Sequence, residues 1–141
     1  MNYLLFRTPG VNRLMQRRWD RSPSEIEGRH LPDARRIKQA VSIPVLSTGG
    51  FQTASVIRAA LRDGSCDAVT IARPLVANND LVRMFEQGLD RAPRPCTYSN
   101  KCLFSVLEYP IGCYDESRYD SREQMIAEIK SVFEPAEEPA A

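Results

Sequence analysis

Two short stretches carry residue types suited to gripping an anion. Gly49-Gly50 follows the apolar run Ile43-Pro44-Val45-Leu46-Ser47-Thr48, and Ala72-Arg73-Pro74 follows Asp67-Ala68-Val69-Thr70-Ile71. Paired glycines let backbone N–H groups come close to a ligand, and an arginine brings a permanent charge with a forked donor set that matches phosphate oxygens. A diglycine after an apolar run is also an ordinary turn, and a lone arginine also reads as a solvated charge. The two together favour a phosphate site, provided the fold brings them to one place.

The elements needed to do so can be read around them. Leu31 to Val41 has apolar residues Ala34, Ile37, Ala40 and Val41 at helical spacing, with Pro32 at a favoured first position. Ile43 to Thr48 reads as a short buried strand stopped by the diglycine. Thr53 is placed to cap a second helix, with Val56, Ile57, Ala60 and Leu61 on one face and Gly64 closing it. Ala68 to Ile71 supplies a second strand. A βαβ unit of this kind has parallel strands and a right-handed crossover, so both strand C-termini face the same way. A helix beginning after the glycines would add its positive N-terminal dipole to the site. Beyond Arg73-Pro74 a loop is expected to lead to Asn79-Asp80, capping a helix through Leu89. Residues 91 to 115 read as an extended loop, Ser121 with Gln124 as a capping box, and Met125 to Phe133 as an amphipathic helix.

The chain has 141 residues, 43% of them apolar and 26% charged, which is the balance of a globular protein. Its net charge of +1 hides an asymmetry, because residues 1 to 42 hold nine Lys/Arg against four Asp/Glu and residues 115 to 141 hold three against eight. Arg13, Arg17, Arg18 and Arg21 have only Trp19 among them, which favours a solvated face over a nucleic-acid arm. With neither a membrane-spanning run nor a signal peptide in the sequence, a cytoplasmic location is expected, with no membrane or nucleic-acid partner. In that compartment Cys66, Cys96, Cys102 and Cys113 are read as thiols, and Cys66 as a small core residue. His30, the single histidine, reads as an exposed helix-start residue.

The run from Ile43 to Phe51, and that from Asp67 through Arg73-Pro74-Leu75-Val76-Ala77-Asn78-Asn79-Asp80 to Leu81, resemble the C-terminal end of the Old Yellow Enzyme family. The likeness covers residues 30 to 119 and is strongest from 43 to 81; residues 1 to 29 are poorly matched. It implies an α/β fold, the C-terminal portion of a (β/α)8 TIM barrel: its last two strands with flanking helices, plus a C-terminal helical extension. The phosphate site of such barrels lies in the loops after strands seven and eight. On this resemblance residues 30 to 90 form the partial barrel, with 91 to 133 a C-terminal loop and helix; the Pro, Glu and Ala that dominate from Glu134 onward make 134 to 141 a disordered tail.

The resemblance further implies FMN-dependent NAD(P)H oxidoreductase activity on a small-molecule substrate. Gly49, Gly50, Ala72 and Arg73 would hold the FMN phosphate, with Ala72 standing where many relatives have glycine. No catalytic residue carries over, because those of the family lie on strands that this sequence does not contain. The run Arg94-Pro95-Cys96-Thr97-Tyr98-Ser99-Asn100-Lys101-Cys102 resembles a segment of the dienoyl-CoA reductase-like branch in which cysteines bind an iron-sulfur cluster. Ser99 replaces one such residue, and a hydroxyl is a poor ligand for that soft site, so no cluster is expected; loop cysteines without a metal are the favoured reading, and zinc, with His30 far away in sequence, is the alternative. A TIM barrel takes about 250 residues. The chain is therefore expected to self-associate or to meet a partner that completes the barrel, and a non-catalytic module binding phosphate or flavin is the alternative.

Overall fold

The computed structural model describes residues 26–133. Arg13, Arg17, Trp19, Arg18 and Arg21, the poorly matched N-terminal segment before Ile26, and the tail from 134 to 141 lie outside the described residues. The chain divides into two compact units, one ending at Ser99 and one starting at Asn100.

The first unit is mixed α/β. Helix α1 (Leu31–Ala40) leads to strand β1 (Leu46–Thr48), helix α2 (Ala54–Arg62) and strand β2 (Ala68–Thr70). The strands pair in parallel, with Leu46 opposite Ala68, Ser47 opposite Val69 and Thr48 opposite Thr70. A small core of Ala34, Val45, Ala60 and Cys66, with Leu31 and Val69 against it, joins α1 and α2 to one face of this sheet. Gly64 ends α2 in a left-handed turn at φ 64°, where the Gly64 and Ser65 N–H groups reach back to the Leu61 and Ala60 carbonyls.

Several expectations are corrected here. β1 is shorter than Ile43 to Thr48 and is buried on one face only: Ser47 is enclosed, whereas Leu46 is 55% exposed. A three-residue strand alternates sides, and among the described residues nothing covers the second face. Ile37 and Val41 of the α1 pattern also stay exposed, while Ala34 is buried. Thr53 begins α2 but makes no side-chain cap; Asp90 takes that part, accepting from the Ser55 N–H at 2.6 Å and from the Ser55 hydroxyl at 2.8 Å. The stretch after Ala72 is not a loop but a short helix, α3 (Arg73–Ala77), whose second residue, Pro74, suits a first turn. Helix α4 (Leu81–Glu86) starts at Asp80 without a side-chain cap and stops short of Leu89, buried through Leu81.

In the second unit, residues Lys101–Ser105 form a short helix, α5, inside the stretch read as loop. Asp115 collects the Lys101 ammonium at 3.2 Å and the Ser117 hydroxyl at 3.0 Å, opening a turn of 3-10 helix at Glu116–Arg118. Helix α6 (Arg122–Ser131) buries Met125 and Ile129. The capping box forms with one change of partner. The Gln124 N–H donates to the Ser121 hydroxyl at 3.1 Å, while the Gln124 side chain accepts from the Asp120 N–H at 2.9 Å.

Candidate functional site: a diglycine turn and Arg73 meeting at Tyr98

Parallel pairing carries both glycines and Arg73 to one edge. The residues that leave the sheet after Thr48 and Thr70 are Gly49-Gly50 and Ile71-Ala72-Arg73. Gly50 lies at φ 64°, and a Cβ there would stand 2.6 Å from Ile26 Cγ2 and 3.2 Å from Tyr98 Cε1. Both the backbone and the close neighbours therefore require glycine. The Gly28 N–H donates to the Gly49 carbonyl at 2.8 Å. His30 is exposed at the start of α1, as its sequence position implies, but it is also close to this turn: its Cδ2 is 3.6 Å from where a Gly49 Cβ would be.

The decisive contact comes from Tyr98. Its hydroxyl donates to the Gly50 carbonyl, and the Arg73 guanidinium carbon lies 5.1 Å from the centre of its ring. One ring thus touches both stretches singled out in the sequence. Tyr98 is only 4% exposed. Burial, with Glu27 and Cys96 nearby, pushes its pKa up, so the hydroxyl stays a donor throughout the ordinary pH range. Ala72 is exposed, and its carbonyl accepts from the N–H groups of Leu75 and Val76.

Residues 90 to 98 run back along the turn as a strap. The Ala54 N–H donates to the Asp90 carbonyl at 2.8 Å, and Thr53 and Arg91 form an isolated antiparallel bridge. The buried Gln52 amide answers both backbone groups of Cys96, accepting at 2.9 Å and donating at 3.2 Å. Tyr98 then closes the strap on Gly50. Its backbone is left-handed at φ 58°, and its N–H reaches the Cys96 sulfur at 3.4 Å.

The start of α2 differs from expectation. One oxygen of Glu27 accepts from the Gln52 and Thr53 N–H groups, each at 2.7 Å, and the other accepts from the Thr53 hydroxyl at 2.9 Å. Together with Asp90, this carboxylate answers the positive end of the helix from within the chain. Sequence reasoning passed over Glu27, Gln52 and Tyr98 because their partners lie 25 to 48 positions away.

Cys66 is buried, as read, and burial pushes its thiol pKa up, with Lys38 opposing. Cys96 is buried in the first unit, and Cys102 and Cys113 belong to the second. Among the described residues, no three His, Cys, Asp or Glu side chains are grouped as metal ligands, and no helix is long and apolar enough to cross a membrane.

With this geometry in place, known proteins provide a comparison. The chain is 42% identical over 67 residues to the bilirubin reductase of Mediterraneibacter gnavus, which covers 48% of this chain and 10% of that protein. It is 37% identical over 79 residues to a metal reductase of Desulforamulus reducens, 55% of this chain and 12% of the relative. It is 33% identical over 72 residues to the multifunctional alkene reductase/demethylase OYE of Caballeronia cordobensis, 51% of this chain and 11% of the relative. These relatives are all named reductases. The chain spans about a tenth of their length. No family model and no solved structure matches it.

Proposed function

We propose that the chain is the phosphate-gripping end of an FMN-dependent NAD(P)H oxidoreductase of the Old Yellow Enzyme class, built from the last two strands of a (β/α)8 barrel. The observation that carries this reading is the meeting of Gly50 and Arg73 on Tyr98, at the C-terminal edge of two parallel strands. The similarity to named reductases supports the same class.

The residues present suit a phosphate ester. A glycine turn that no side chain could replace sits beside a guanidinium already held against a ring, a pairing of backbone and forked cation that matches phosphate oxygens. Gly49, Gly50 and Ala72 would hold it through the backbone and Arg73 through its charge. When bound, FMN supplies the hydride chemistry, and the chain supplies grip and orientation. None of the residues described takes a catalytic role in this reading. The uncovered face of the sheet at Leu46 favours a second reading, in which the chain is a non-catalytic module completed by a partner.

Binding of FMN and of riboflavin, which lacks the phosphate, tests the proposal by flavin fluorescence on the full chain. FMN should bind at least about tenfold tighter, and Arg73→Ala should remove most of that preference, as loss of a charge-assisted contact does. Equal affinity for the two flavins would overturn the reading. FMN uptake without NAD(P)H oxidation would favour the binding module.

A further inference from the structure

We propose that Tyr98 is a positioning residue that locks the diglycine turn and Arg73 into one preset unit before any anion arrives. The inference rests on the phosphate reading above and adds to it a residue that neither the turn nor the arginine would suggest.

Three observations converge on the side chain. Its hydroxyl bonds the Gly50 carbonyl, which fixes the plane of the peptide between Gly50 and Phe51; because that peptide is trans, the Phe51 N–H points the opposite way. Its ring lies against the Arg73 guanidinium, restricting a side chain that would otherwise sample many rotamers. Its own backbone is left-handed, a conformation that a bulky residue adopts only where the surroundings hold it there. The surroundings do so through the double Gln52–Cys96 bond two residues before it. A ring with no part beyond filling space would not need a strained backbone, a directed hydroxyl bond and a cation on its face together. Holding the turn and the guanidinium in place beforehand lowers the ordering cost that an incoming phosphate would otherwise bear.

Two variants of the full chain separate the two contacts. Tyr98→Phe keeps the ring and loses the hydroxyl bond, and it should weaken FMN binding about threefold. Tyr98→Leu loses both contacts and should weaken it about tenfold. Riboflavin affinity should stay at the wild-type level in each, a split that loss of mere packing would not produce. If Tyr98→Leu keeps the wild-type ratio of FMN to riboflavin affinity while Arg73→Ala lowers it, the inference fails and the phosphate reading stands. If the wild-type chain shows no such ratio, the phosphate reading fails, and the inference with it.

A ligand-free measurement gives an independent check. The Arg73 Nε–H resonance should be shifted upfield by the Tyr98 ring current in the wild type and in Tyr98→Phe, and should move to its random-coil position in Tyr98→Leu. An unshifted Arg73 resonance in the wild type would overturn the inference even where the leucine variant does not fold.

Discussion

Gln52 is 1% exposed, yet it carries a primary amide, and its position is explained by a single partner, the backbone of Cys96. Its side chain imitates one rung of a β-ladder across 44 positions of sequence. Gln52→Leu fills a similar volume but removes both hydrogen bonds to the buried Cys96 backbone. The expected cost is on the order of 2 kcal/mol or more, read as a lower urea midpoint with an unchanged slope. Glutamine inside a helix-start sequence gives no hint of this role. Gly50 and Arg73, by contrast, could be singled out in the sequence because what they offer is written in residue type: one allows a left-handed bend and the other brings a permanent forked charge. Tyr98 resembles any loop tyrosine until its partner, 48 positions earlier, is placed beside it.

At the scale of elements, readings built on neighbours in sequence hold best. The Ser121 and Gln124 pair sets the start of α6, one bond as expected and the other moved to the Asp120 N–H. Ser121→Ala should destabilise that helix by about 1 kcal/mol, seen as faster amide hydrogen exchange in its first turn while the first unit keeps its protection. Thr53 shows where the same logic fails. It has the residue type of a cap, but Glu27 takes its hydroxyl and Asp90 takes the Ser55 N–H, so long-range carboxylates displace the local choice. Helix α3 was hidden because the stretch from Arg73-Pro74 to Asn79 reads as a loop. In the structure the proline occupies the first turn, where its missing N–H costs nothing.

For the whole first unit, the parallel βαβ order was legible from the alternation of patterns, whereas the extent of burial was not. An apolar strand reads as enclosed on both sides, and sequence does not say whether anything covers the second side. Asp67 is the tie that holds the layers in register: it accepts from the Val45 N–H at 2.8 Å and from the Lys38 ammonium at 2.5 Å, joining α1 to the entries of both strands. These bonds, the Lys38 bond foremost, hold its carboxyl below the usual range. A folded pKa depressed in this way contributes stability that is complete above the unfolded value of about 4 and is lost as pH falls through that value towards the lower folded one. Asp67→Asn should therefore flatten the acid limb of the stability curve between about pH 5 and 2, measured by thermal unfolding across that range. An unaltered limb would show that other carboxylates govern it.

The Glu27 carboxylate bonds the two amides that lead into α2, those of Gln52 and Thr53. Being part of the same polypeptide, it meets those amides at an effective concentration on the order of millimolar or above, so an anion dissolved at trace levels does not displace it. The chain thus brings its own counter-charge to that turn, and Glu27→Gln would leave the Gln52 and Thr53 amides with an uncharged, weaker acceptor.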